Sequence, residues 1–331
     1  MCSRKCDCNR IKKFGPDIST RVLGILGGMS MGKTYQLKAF IETLQPEDRV
    51  LFITPRKSLS ETQKGLFRDF IHYKTKNWTA DRLICQYESL HHLEGQKAFD
   101  YILIDETRSV MSNLTCIVTN QGFKLRANAN MLRALMQASK LAICLDAHLE
   151  VDGAVPKFLQ DCFEPSQIEV HRYLHQRMKR SIHALYDSSI FEQALQIALE
   201  TKKKVGLLCR TKSNALVYAE KHKECKTAIF TSETDDEVLE EFQESDKFLA
   251  DIQLLIMTSK VTVGADIQLM YDEIFVDFRG QGCSARNILQ MCGRFRELRN
   301  SKITFFVEKD PEFKENLEQN RFLIFAQEFS R

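Results

Sequence analysis

Short runs of Val, Ile, Leu and Phe recur along the first half of the chain, at residues 22–26, 50–54, 83–87, 101–104 and 141–145, with longer stretches of helical spacing between them. Runs apolar at successive rather than alternate positions belong to strands covered on both faces, and the helical stretches supply the crossovers that parallel strands need. Residues 153–173 break the rhythm with two prolines and lead into a cationic stretch, Arg172, Arg177, Lys179 and Arg180. The alternation then resumes, with a helix over 190–200, a strand over 205–209, a helix over 214–223, strands over 227–230, 252–258 and 273–278, a helix over 284–292 and a strand over 303–307. The pattern predicts an α/β protein of two tandem domains, residues 1–175 and 176–331, each built on a parallel sheet.

At 331 residues and 44% hydrophobic content the chain is long enough for two cores. Its apolar runs are too short for a membrane-spanning helix, and its first thirteen residues are too polar and cationic for a secretory signal. Of its 11 cysteines, Cys85, Cys144 and Cys209 sit inside strand-like runs as small hydrophobes, which fits a reducing intracellular compartment, nucleus or cytoplasm. Cys2, Cys6 and Cys8 form a Cys-x3-Cys-x-Cys cluster, short of the four ligands in paired spacings that structural zinc takes. A net charge of +3 decides nothing about nucleic acid, because counterion release needs only a local basic track. The acidic run 233–246 reads as a solvated helix face or loop.

Chemistry concentrates at three places. Gly27-Gly28-Met29-Ser30-Met31-Gly32-Lys33-Thr34 matches the P-loop pattern between an apolar strand and a helix-forming run, 35–44. Its glycines let backbone N–H groups converge on phosphates, Lys33 neutralises the β- and γ-phosphates of ATP, and the Thr34 hydroxyl faces Mg²⁺. A P-loop needs a second metal-holding carboxylate at another strand end, and the run 101–104 ends in Asp105-Glu106. Asp105 is the expected metal carboxylate and Glu106 the base that orients and deprotonates the attacking water. In the second half, Gln290-Met291-Cys292-Gly293-Arg294-Phe295-Arg296 offers Arg294 to the charge that develops on the γ-phosphate, with the nucleotide in a cleft between the domains.

Taken in order, these segments resemble superfamily 2 helicases from about residue 23 to residue 307: 27–34 resembles motif I, Asp105-Glu106-Thr107-Arg108 motif II, and 290–296 motif VI. Between them, 52–59 resembles motif Ia, Asp146-Ala147-His148 stands in the place of motif III, 207–211 resembles motif IV and 258–266 motif V. The resemblance implies two RecA-like domains, adds Gln290, Arg296, Gly264 and Asp266 to the nucleotide site, and lays a nucleic-acid strand over Thr54, Arg56, Ser89, Arg210, Thr211 and Thr258. These last lie at the carboxyl ends of predicted strands, where open α/β sheets bind ligands. Two departures stand out: motif II reads Asp-Glu-Thr-Arg, and the two arginines of motif VI are two positions apart rather than three, which brings in Arg299 as a substitute for Arg296.

Within that superfamily, Gln86-Tyr87-Glu88-Ser89-Leu90-His91, the Asp146-Ala147 pair and Val261-Thr262-Val263-Gly264 look most like the helicase domain of herpesvirus-type replication origin-binding proteins. That resemblance implies an ATP-dependent DNA helicase acting in replication, with DNA favoured over RNA as partner and no membrane. It also implies that origin recognition belongs to a separate C-terminal domain, so little sequence preference is expected of this chain. An RNA helicase, a translocase that does not unwind, and a catalytically silent binding module remain open alternatives.

Overall fold

A computed structural model describes residues 2–6, 19–27, 32–55, 57–113, 123–147, 149, 153–173, 180–231, 233–235, 238, 246–258, 267–280 and 285–308. The chain divides into two compact units, Met1–Arg177 and Met178–Arg331. Among the described residues every strand pairing in both units is parallel. No described helix is long and apolar enough to cross a membrane.

Unit 1 contains β1 (Cys2–Cys6), β2 (Val22–Gly27), α1 (Lys33–Ile41), β3 (Val50–Thr54), α2 (Lys57–Leu66), β4 (Ile71–His72) and β5 (Arg82–Gln86). After β5 come a 3-10 turn (Tyr87–Leu93), β6 (Tyr101–Ile104), α3 (Thr107–Asn113), α4 (Phe123–Ala138), β7 (Leu141–Asp146), α5 (Ala154–Cys162) and β8 (Ile168–Tyr173). Its eight strands lie in the order β1-β8-β2-β7-β6-β3-β5-β4. Successive strand residues go to opposite faces: Val50 and Phe52 pack with Leu37 and Ile41 of α1, whereas Leu51 and Ile53 pack with Leu132 and Met136 of α4. Two covered faces explain why these strands are apolar throughout.

Three elements of this unit depart from the predicted rhythm. Residues 153–173 hold α5 and β8; Pro156 is the third residue of α5, inside the first turn whose N–H groups have no intrahelical acceptor. In β8 the polar Glu169 and His171 are nonetheless buried, joined to each other at 2.6 Å, with the Thr20 hydroxyl donating to Glu169 at 2.9 Å. β1 is an added edge strand on β8, and its extended backbone sets Cys2 and Cys6 about 13 Å apart at a rise of about 3.3 Å per residue. That span is too long for two ligands of one zinc, and Cys8 lies outside the described residues.

Unit 2 contains β9 (Ser181–Leu185), α6 (Ser188–Glu200), β10 (Val205–Cys209), α7 (Lys212–Lys221), β11 (Thr227–Phe230), α8 (Asp246–Ala250), β12 (Leu254–Met257), β13 (Glu273–Asp277), α9 (Ala285–Cys292) and β14 (Lys302–Phe306), with sheet order β11-β12-β10-β13-β14-β9. Asp187 caps α6 by accepting from Ser189 N at 2.8 Å, and Thr211 caps α7 by accepting from Asn214 N at 3.2 Å. In the acidic run, Glu233 is exposed and pairs with Lys212, as a solvated segment should, while most of the run lies outside the described residues.

Gly206 in β10 exists for a packing reason. A Cβ there would stand 2.4 Å from Cζ of Phe295, whose ring is buried edge-on against Tyr271 at a centroid distance of 5.0 Å. Gly206→Ala should therefore destabilise unit 2 by about 1–3 kcal/mol through overpacking. Adding Phe295→Leu should recover part of the loss. Urea denaturation of the single and double variants checks this, and a neutral Gly206→Ala would show that the ring is not wedged there.

Candidate active site

The proposed catalytic residues of unit 1 hang from three neighbouring strand ends. β2 ends at Gly27, β7 at Asp146 and β6 just before Asp105, and β7 lies between the other two. Two strand spacings of about 4.8 Å place the β2 and β6 ends about 10 Å apart, a span that side chains from both can cover.

From β2 the chain enters the P-loop, of which Gly28, Met29, Ser30 and Met31 lie outside the described residues. It leaves through Gly32, whose left-handed backbone at φ 81° turns into α1. A residue with a Cβ would be strained in this turn. Lys33 and Thr34, the first two residues of α1, are half-buried, and Lys33 Nζ donates to the Gly27 carbonyl at 2.5 Å. The lysine thus reaches back to the end of β2.

Asp105 is buried at the end of β6. Its Oδ1 accepts from Glu106 N at 3.0 Å, and its Oδ2 accepts from Nε2 of Gln63, on α2, at 3.0 Å. Burial first, then the neighbouring Glu106 carboxylate and more weakly Asp146, push its carboxyl up to about 7, against the opposing pull of Lys33 and the Glu106 N–H. Glu106 is half-buried and takes φ 54°, a left-handed conformation that costs a residue with a side chain about 1–3 kcal/mol. Its carbonyl accepts from Ser109 N at 2.8 Å and Val110 N at 3.1 Å, so the strained residue also starts α3.

The unusual Thr107-Arg108 of motif II has a visible role. The buried Thr107 hydroxyl donates between the Ile104 and Leu145 carbonyls, 3.1 Å from each, and Arg108 N donates to Oδ2 of the buried Asp146 at 2.7 Å. Motifs II and III are thereby bonded together; His148 of motif III lies outside the described residues. Sequence reading missed Gln63, which lies beyond the quoted part of motif Ia and announces itself only by its place on α2.

Two features fit a divalent cation beside Asp105: mutually repelling carboxylates that hold a proton near neutrality, and Gln63 Oε1, buried with no hydrogen-bond partner among the described residues. No described group of three or more His, Cys, Asp or Glu side chains could hold a metal alone. Mg²⁺ takes one or two carboxylates and completes its shell with phosphate and water.

In unit 2, Gln290 is buried on α9, while Arg294 and Arg296 follow it half-buried. Ile267 N donates to the Arg294 carbonyl at 3.0 Å and Arg296 N to the Ile267 carbonyl at 2.9 Å. The buried Arg180, Nη2 donating to the Phe295 carbonyl at 2.6 Å and to the Arg296 carbonyl at 3.4 Å, clamps the same loop from its other side. Arg299 is 3.0 Å from Asp272, paired on the surface rather than held in this loop. Gly264 and Asp266 lie outside the described residues.

The proposed track residues divide by exposure. Thr54 is fully buried, and Thr258, also buried, donates to the Phe230 carbonyl at 3.3 Å. The Thr258 hydroxyl thus ties the end of β12 to the end of the neighbouring β11. Ser89, Arg210 and Thr211 are half-buried; the Arg210 guanidinium lies over the Phe278 ring at 4.3 Å. Arg56 lies outside the described residues.

The raised Asp105 carboxyl has a sign that can be measured. Its folded value near 7 exceeds the ordinary 3.8, so the native state holds the proton more tightly and this group costs stability increasingly as pH rises from about 4 to about 7. In metal-free buffer Asp105→Asn should melt higher than the parent at pH 8, with the gap closing towards pH 4. About 1 kcal/mol moves the midpoint by roughly 2–4 °C in a unit of this size. Equal midpoints at pH 8 would show that Asp105 is not strained by its neighbours.

The family profile described as origin of replication binding protein matches residues 18–160. A candidate replication origin-binding protein of Acanthamoeba polyphaga mimivirus is 25% identical over 301 residues, covering 86% of this chain and 37% of its own. A candidate helicase/primase complex protein of African swine fever virus is 23% identical over 291 residues, covering 82% of this chain and 27% of its own. The chain thus spans well under half the length of the curated relatives it matches. Among solved structures, S. cerevisiae Dbp5 bound to RNA and ADP BeF3 superposes with a TM-score of 0.63 at 14% identity, over 94% of this chain and 83% of that one. The DUF1998 helicase MrfA bound to DNA and AMPPNP gives 0.58 at 13% identity, over 94% and 48%. With its two parallel sheets, the chain therefore has the fold of tandem RecA-like helicase domains, and its first unit is similar to the origin-binding proteins.

Proposed function

We propose that this chain is an ATP-driven motor that moves along DNA or separates its strands during replication. The observation that carries the reading is the nearness of Lys33, at the start of α1, to Asp105, at the end of β6, close enough to act on its carboxyl. The viral relatives support replication as the setting.

In this reading the N–H groups of residues 27–34 hold the phosphates and Lys33 exchanges the Gly27 carbonyl for the β- and γ-phosphates. Thr34 and Asp105 would hold Mg²⁺, which when bound neutralises charge on the phosphate oxygens. Glu106, its carboxylate aimed by the left-handed backbone, orients the attacking water and takes its proton. From unit 2, Arg294 is the proposed stabiliser of charge on the γ-phosphate, with Arg296, Gln290, Gly264 and Asp266 as further proposed nucleotide residues. Each turnover would advance a strand held by Arg56, Ser89, Arg210 and Thr211.

Lys33→Ala should abolish nucleic-acid-stimulated ATP hydrolysis with the fold intact, and undiminished phosphate release would overturn the assignment. Glu106→Gln should still bind ATP but turn it over about 10²–10⁴-fold more slowly. Single-stranded DNA should stimulate the parent more than RNA does. The reverse order would make it an RNA motor, and turnover without strand separation a translocase.

A further inference from the structure

We infer that Gln63 is a positioning residue of the nucleotide site, holding Asp105 with its amide N–H and offering its carbonyl oxygen to the water around a bound divalent cation. The inference rests on Asp105 being the metal carboxylate of the site proposed above.

Gln63 is only 2% exposed, on a helix that starts three residues after β3 and returns its side chain to the end of β6. Nε2 donates to Asp105 Oδ2 at 3.0 Å. With Nε2 turned to Asp105, the other end of the amide faces away from the carboxyl. That end, Oε1, is buried and has no hydrogen-bond partner among the described residues. A buried carbonyl without a donor is costly, and native proteins keep one chiefly where another molecule supplies the donor. Water bound to a cation beside Asp105 is such a donor, and it would satisfy Oε1 without displacing the bond to Asp105.

The rest of the cluster leaves Gln63 alone in this task. The second oxygen of Asp105 takes the Glu106 N–H, and Asp146 takes the Arg108 N–H. Gln63 is the side chain among the described residues that bonds to Asp105. Its helix is anchored independently, through Ser60 Oγ, 3.0 Å from His72 Nε2 of β4, so α2 stays in place when Gln63 is changed. Because α2 follows directly on β3 and the segment carrying Arg56, Gln63 also links the proposed nucleic-acid track to the metal carboxylate.

The test uses the full chain and binding of a fluorescent ATP analogue, titrated with Mg²⁺ and repeated in EDTA. Gln63→Leu should raise the half-saturating Mg²⁺ concentration about tenfold, the lower end of what losing an outer-shell partner costs. Binding in EDTA should be unchanged. A structural role alone would lower the melting temperature and leave the Mg²⁺ dependence where it was, and that result overturns the inference. Should Gln63→Leu fail to fold, Gln63→Met keeps the unbranched chain without either polar atom and carries the same comparison. If the parent shows no Mg²⁺-dependent binding, or Lys33→Ala binds equally well, the nucleotide site itself is refuted and Gln63's role falls with it.

Discussion

Unit 1 is organised around a carboxylate that must be kept out of water. Asp105 sits buried beside Glu106 and near Asp146, an arrangement that costs folding energy and is tolerated because each charge has assigned company. Backbone N–H groups of Glu106 and Arg108 point at Asp105 and Asp146, Thr107 ties the two strand ends, and Lys33 opposes the accumulated negative charge. The left-handed turn at Glu106 belongs to the same account, since it sets the strand end and the start of α3 at once. Strain and repulsion gathered at one sheet edge are the usual mark of a site built for a ligand that relieves them.

Much of this frame was legible in the residues. Strands buried on both faces leave fully apolar runs, and β3, β6, β10 and β11 fall where those runs predicted them. β8 escaped because one of its two buried faces carries Glu169 and His171, polar residues that satisfy each other and so mimic a surface pattern. α5 escaped because a proline ordinarily signals a helix end, yet costs little within the first turn. The burial of Thr54 and Thr258 could not be read from the residues either, because a hydroxyl at a strand end suits a phosphate and a backbone carbonyl equally.

In unit 2 the readable part was the arginine-bearing loop itself, not what holds it. Arg180, Gly206 and Ile267 are distant in sequence and unremarkable singly, yet they meet around Phe295. Arg180 supplies a cation to two carbonyls, Gly206 supplies room for the ring, and Ile267 bridges the backbone just past motif V. Arg294 and Arg296 thus flank Phe295 in a loop whose backbone is held by Arg180 and Ile267.

The edge of the first sheet carries a separate consequence. β8 pairs on one side with β2 and on the other with β1, whose sequence places Arg4 and Lys5 on the outermost strand of the described sheet. Charged residues on an outer strand discourage pairing with other molecules. A protein begun at Ser19 would lose that guard and present β8's open hydrogen-bonding edge to solvent, inviting strand addition between copies. The first few residues therefore act as a cover for that edge, occupying backbone positions of β8 that would otherwise lack a strand partner.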